Sequence, residues 1–210
     1  MGNKLTTSHK VLMLKAVIHL AALLPLFNLY YLAFNDLLGA DPVQRVIHFT
    51  GIGAFNLLLV TLTVSPVAKR LKQGYLLQVR RLLGLYTFSY AFMHLINFLV
   101  FDLQLAWSLF FNEVLKRPYI TIGMIAFILL AALAVTSVNS VKRKMGKSWQ
   151  RLHNVSYLII ILVSVHFYWS VKSELLAPLF YILLTSVLLA FRYKKIKALI
   201  LSIFVNKTRG

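Results

Sequence analysis

Apolar residues run in long blocks along this chain, separated by short polar segments that are mostly basic. A bilayer-spanning helix needs about 20 predominantly apolar residues, and six blocks approach that length, at about 11–34, 46–68, 82–104, 119–140, 153–172 and 175–192. The pattern predicts an all-α membrane protein, a six-helix transmembrane bundle forming one domain over residues 1–210. The first block follows Lys4, Lys10 and Lys15 as a secretory signal would. Its apolar run continues past Pro25 to Phe34 without a small-residue cleavage site, so it reads as an uncleaved span. Ile196–Val205 is too short to span and is flanked by lysines, which predicts an interfacial amphipathic tail over 193–210. No internal repeat or low-complexity segment stands out.

Composition agrees with that pattern, since 60% of the residues are hydrophobic and 13% charged. The formal charge is +18, from 23 Lys and Arg against 5 Asp and Glu. In a polar protein such a charge points to nucleic acid. Here the basic residues sit between spans and report orientation, because Lys and Arg are retained on the cytoplasmic side. Basic residues cluster before the first span, after the second (Lys69, Arg70, Lys72, Arg80, Arg81), after the fourth (Lys142, Arg143, Lys144, Lys147, Arg151) and in the tail. The opposite loops hold Arg45, Lys116, Arg117 and Lys172 together with all five acids, Asp36, Asp41, Asp102, Glu113 and Glu174. Both termini are therefore expected on the cytoplasmic side.

The chain has no cysteine, which excludes disulfides, thiolate metal sites, iron–sulfur clusters and thioether-linked haem. It has six histidines, His9, His19, His48, His94, His153 and His166. Ionisable groups inside a bilayer are costly and are functional candidates by default. At 1.5 Å per residue, His94 stands about 18 Å from the inner end of the third span and His166 about 20 Å from that of the fifth. Two imidazoles at matching depth on two helices can hold one iron from both sides. A bare metal ion usually gathers three or four side chains, and no Asp or Glu lies within a span. Porphyrin supplies four nitrogens itself, so two axial histidines suffice. Arg80, Arg81, Lys147 and Arg151 stand at the inner level as candidate partners for propionates.

Arg80 and His94 are fourteen residues apart, which places them on nearly one helix face about 21 Å apart in height. His153 and His166 are thirteen apart, so an ideal helix turns them about 140° from each other. For both to bind cofactors, that helix must be irregular or the two groups must approach from different sides. Each histidine also has a plainer reading. His94, near Asn97, could hydrogen-bond between helices, the aromatic neighbours of His166 could be an interfacial belt, and His153 could be solvated. His19 reads as a packed polar residue near Pro25, His9 as solvated, and His48 as a helix-end residue, a partner contact or part of a quinone pocket.

Several short segments then combine: Leu38-Gly39-Ala40-Asp41-Pro42-Val43 leading into His48-Phe49-Thr50-Gly51, Arg80-Arg81-Leu82-Leu83-Gly84-Leu85, Arg117-Pro118-Tyr119, Gly146 to His153, His166 to Lys172, and Arg192-Tyr193-Lys194-Lys195. In this order and spacing the chain resembles the ferric reductase-like transmembrane domain, a bundle that stacks b-type haems. Within it, the chain is similar to the haem-binding membrane subunits of bacterial periplasmic methionine sulfoxide reductase systems. The resemblance implies an inner (cytoplasmic) membrane protein that takes electrons from membrane quinol and passes them through haem b to a periplasmic molybdopterin-containing subunit. That partner reduces methionine sulfoxide in oxidised proteins. The resemblance also implies FMN, for which the chain shows no fingerprint of its own, and it places His94, His153 and His166 on haem-ligand positions. Arg80 stands where the wider two-haem pattern has a second histidine of the third span. It could pair with a propionate or ligate unusually, and one or two haems remain open.

Two other function classes compete. A small secondary transporter is expected to show repeats and charged midplane residues. A non-redox anchor would use the acidic loops only to hold a periplasmic partner.

Overall fold

The computed structural model describes residues 2–171 and 174–207, with side chains over 7–171, 174–199 and 201. Lys172 and Arg209 of the charge count, and the ends of the segments expected at 153–172 and 193–210, lie outside the described residues. The described chain is helical throughout: α1 (Gly2–Phe34), α2 (Pro42–Arg70), α3 (Arg80–Asn97), α4 (Trp107–Lys116), α5 (Pro118–Val135), α6 (Asn139–Met145), α7 (Lys147–His153), α8 (Ser156–Ser170), α9 (Leu176–Phe191) and α10 (Tyr193–Lys207). A 3-10 turn over Gly74–Val79 leads into α3, and a π turn over Phe98–Asp102 ends it.

Five helical stretches are long and apolar enough to cross a membrane: Thr7–Phe34, Pro42–Arg70, Gly74–Asp102, Pro118–Val135 and Lys147–Ser170. A sixth is present if Leu176–Phe191 and Tyr193–Leu199 count as one crossing bent by 72°. By itself α9 has 16 residues, about 24 Å of helix. Local chemistry sets the starts. Asp41 caps α2 by accepting the Gln44 backbone N–H at 2.9 Å, and Pro42 and Pro118 open α2 and α5, where their missing N–H costs nothing. The outer faces are apolar, with Leu12, Phe27, Ile128 and Leu183 all more than half exposed to the surroundings. Lipid rather than water suits such a surface.

The core is shared by α2 (Phe55, Leu58, Leu62), α5 (Ala126, Leu130, Leu133), α8 (Tyr157, Ile159, Ile160, Phe167) and α9 (Leu188). Its broadest helix contacts are α2 on α3 and α5 on α8. Buried polar groups in it are paired, as apolar surroundings require. Asn97 donates to Thr50 Oγ1 at 3.3 Å and accepts from Tyr30 Oη at 2.9 Å, tying α1, α2 and α3 together. Pro66, inside α2, offers no N–H to the Leu62 carbonyl four residues earlier. Arg192, just beyond α9, supplies the missing donor, its Nη2 lying 2.8 Å from Leu62 O.

Three expectations change. The fifth apolar block is two helices, α7 and α8, parted at Asn154 and Val155, so the irregularity between His153 and His166 is a helix break. The fourth block stops at Val135, and the loop expected after the third span contains α4. The absence of a repeat is also corrected. The pair α2 and α3 is echoed by α5 and α8, with Ile47, Gly51, Phe55 and His94 recurring 72 positions later as Tyr119, Gly123, Phe127 and His166. The echo escapes a sequence reading because its shared letters are few, chiefly Gly-x-x-Ala-Phe-x-Leu-Leu and one histidine.

Candidate functional site

Each echoed unit aims one histidine across its own helix pair. His94 Nδ1 donates to the Ile47 carbonyl at 2.9 Å, from α3 to α2. His166 Nδ1 donates to the Tyr119 carbonyl at 2.7 Å, from α8 to α5. A carbonyl can only accept, so Nδ1 carries the proton in both rings and Nε2 carries the lone pair. Neither Nε2 makes a hydrogen bond among the described residues.

Glycine makes this approach possible. Gly51 and Gly123 stand one helical turn beyond Ile47 and Tyr119, where each imidazole must pass to reach its carbonyl. A Cβ at Gly51 would lie 3.0 Å from the His94 ring, and one at Gly123 only 2.6 Å from His166 Nδ1. Sequence reasoning finds the two histidines by depth and misses the glycines and carbonyls. Their only signal is the repeated Gly-x-x-Ala-Phe.

The two rings then meet. Their centroids are 6.2 Å apart and their planes cross at 82°. A metal–imidazole bond is about 2.0–2.1 Å and the nitrogen lies about 1.1 Å from its ring centroid, so two imidazoles across one iron sit about 6.3 Å apart, centroid to centroid. The spacing, the free Nε2 lone pairs and the absence of any cluster of three His, Cys, Asp or Glu among the described residues fit a haem rather than a bare ion. Aromatic rings flank the pair in the same echoed manner. Phe55 of α2 packs on Phe167 and Tyr181 at 6.4 and 4.8 Å, while Phe127 of α5 packs on Phe88 and Phe92 at 5.8 and 6.4 Å.

The other candidates are placed elsewhere. His153 ends α7, stacked on Trp149 at 4.0 Å, with its Nε2 3.1 Å from Thr136 Oγ1. That hydroxyl donates to Ala132 O, so Nε2 serves as the donor and its lone pair is not free. Arg80 opens α3, and its guanidinium makes no hydrogen bond among the described residues. It is an electrostatic neighbour of His153 and of Arg192. No second histidine joins them. His19 bonds Tyr86 through Nδ1 at 2.6 Å, a packing role, and His48 is exposed with its ring 6.1 Å from Phe167.

Comparison with known proteins agrees with the geometry. Residues 50–164, from within α2 to near the end of α8, match the family described as ferric reductase like transmembrane component. The chain is 45% identical over 192 residues to the protein-methionine-sulfoxide reductase heme-binding subunit MsrQ of Cronobacter sakazakii, covering 91% of this chain and 96% of that one. The chain belongs to the MsrQ family. Two Klebsiella pneumoniae MsrQ proteins, from strains ATCC 700721 and 342, match over the same length at 44% and 43% identity, with 95% and 96% of their chains covered. Like the family, this chain is a multi-pass helical membrane protein; the match includes His94 and ends two residues before His166.

Proposed function

We propose that this chain is the b-type haem electron-transfer subunit of a periplasmic methionine sulfoxide reductase system in the bacterial inner membrane, with both termini cytoplasmic. The carrying observation is the facing pair His94 and His166, with both Nδ1 protons committed to backbone carbonyls and both Nε2 lone pairs free. Haem held there supplies a one-electron store. Haem held by both His94 and His166 would have its protein ligands supplied from two sides, which would favour one-electron transfer over oxygen chemistry. The carbonyls of Ile47 and Tyr119 fix the tautomer and orientation of each ring, and hydrogen bonding of this kind raises ligand basicity.

In this reading electrons come from membrane quinol and leave to a periplasmic molybdopterin-containing subunit, where methionine sulfoxide in oxidised proteins is reduced. The names of the three relatives support the assignment to haem and to the sulfoxide reductase system. The acidic segments carrying Asp36, Asp41, Asp102, Glu113 and Glu174 form the end that meets the partner, where charge guides encounter. FMN is proposed as a second cofactor on the family resemblance. Arg80 and His153 are assigned to the opposite end as cofactor contacts. Ligation of a second haem by His153 requires the Thr136 hydrogen bond to break.

The test uses purified protein in liposomes with its periplasmic partner. A reduced quinol analogue should reduce the haem, and adding partner with methionine sulfoxide should reoxidise it. The His94→Ala variant should abolish both steps, whereas full sulfoxide reduction by that variant would leave the chain a non-redox anchor.

A further inference from the structure

The two facing histidines are not held alike. The Ile47 carbonyl that accepts His94 Nδ1 at 2.9 Å also lies 3.0 Å from Thr50 Oγ1, so two side-chain donors share it. In the echoed unit Ile122 stands in the place of Thr50, and its side chain has nothing to donate to the Tyr119 carbonyl. The bond from His166 to that carbonyl is the shorter of the two, at 2.7 Å.

Thr50 ends a chain of donors. Tyr30 Oη donates to Asn97 Oδ1 at 2.9 Å, and Asn97 Nδ2 donates to Thr50 Oγ1 at 3.3 Å. The Thr50 hydroxyl divides its one proton between the Val46 and Ile47 carbonyls at 2.8 and 3.0 Å. A threonine in a helix commonly bonds back to the carbonyl four residues earlier, which accounts for the Val46 contact. An asparagine commonly ties membrane helices together, which accounts for part of the role of Asn97. Neither role explains where the protons point. Asn97 follows His94 by three residues on α3, and Thr50 follows Ile47 by three on α2, so the chain closes around the His94–Ile47 bond from both helices. Thr50 and Asn97 are 0% and 1% exposed. In so dry a setting each bond polarises the next, and each donor in the chain passes its polarisation toward Ile47 O. The echoed unit, with Ile122 and Trp169 in the places of Thr50 and Asn97, has no counterpart.

Electron density that the Ile47 carbonyl gives to Thr50 is withheld from His94 Nδ1–H. Hydrogen bonding at that nitrogen raises the basicity of the other, so His94 Nε2 is the weaker donor and His166 Nε2 the stronger. Weaker donation stabilises oxidised iron less and raises its reduction potential. We propose that Tyr30, Asn97 and Thr50 are positioning residues that make the two haem ligands unequal and hold the potential above that of an evenly ligated site. The inference rests on the haem reading of His94 and His166.

The experiment uses the full haem-loaded chain in nanodiscs, native and as Thr50→Val, Thr50→Ser and Tyr30→Phe, with thermal midpoint and haem-to-protein ratio measured for each. Spectroelectrochemical titration gives the reduction potential. Solid-state NMR of dithionite-reduced protein carrying isotope-labelled histidine gives the Nδ1–H signals of the two ligands. Thr50→Val should lower the ratio of reduced to oxidised haem at a fixed potential about fivefold, the order of one hydrogen bond. That is about 40 mV for one electron, at about 59 mV per tenfold. One Nδ1–H signal should move to lower field while the other stays. Thr50→Ser, which keeps the hydroxyl, should match the native chain, and Tyr30→Phe should shift both readouts in the same direction by less. An unmoved potential with unmoved Nδ1–H signals in haem-loaded Thr50→Val, or a rise in its potential, would overturn the proposal. If Thr50→Val loses its haem, Tyr30→Phe decides by the same two readouts. A native chain that takes up no haem would overturn the haem reading itself, and this proposal with it.

Discussion

Gly123 leaves no room for even a methyl group beside His166, since a Cβ there would stand 2.6 Å from Nδ1. Gly123→Ala should push the imidazole off the Tyr119 carbonyl at an overpacking cost of about 1–3 kcal/mol. The expected result is roughly tenfold weaker haem retention, or a shifted reduction potential where haem stays. Gly51→Ala, at 3.0 Å, should do the same more mildly. Haem-to-protein ratio and redox titration of both variants check the order. A second residue-scale prediction concerns Pro66, Leu62 and Arg192. In a Pro66→Ala background the helix satisfies Leu62 itself, so Arg192→Ala should cost about 1 kcal/mol less there than in the native chain. Thermal midpoints of the four proteins in one detergent give that coupling. At this scale the sequence reveals His94 and His166, because a histidine deep in an apolar run is conspicuous alone. It hides Gly123 and Arg192, whose roles exist only against a ring or a carbonyl on another helix.

Among the elements, hydropathy shows where apolar helix lies and conceals where it stops. The fourth block is expected to run to about residue 140, yet α5 ends at Val135, where the Thr136 and Ser137 hydroxyls donate back to the Ala132 and Leu133 carbonyls at 2.7 Å each. The freed Thr136 carbonyl accepts the Trp149 indole N–H at 2.9 Å, pinning the α6–α7 corner with Lys142 over the same indole. Trp149→Phe should therefore lower stability by about 1 kcal/mol. The check is a lower thermal midpoint with the absorbance spectrum of the His94 and His166 site unchanged. The corner also carries His153, which stacks on Trp149 one turn earlier in α7, whereas its bond to Thr136 depends on the fold of the corner and could not be read from residue spacing.

For the whole molecule, the sequence yields an all-helical membrane protein and a sharp charge polarity. It does not yield the echo of α2 and α3 in α5 and α8, which becomes visible only when both histidines are seen reaching a carbonyl 47 residues earlier. That echo places the two helix pairs on either side of one centre. The charge polarity predicts that a green fluorescent protein fused after the C-terminus fluoresces and that alkaline phosphatase fused there is inactive, the signature of a cytoplasmic end. The most direct test of the account is a dithionite-reduced minus oxidised absorbance spectrum of the detergent-purified protein, with haem quantified as pyridine haemochrome, for the native chain, His94→Ala and His166→Ala. The account predicts a b-type spectrum in the native chain that collapses in each variant. A native spectrum without haem from cells supplied with it, or one that survives both substitutions, would contradict it.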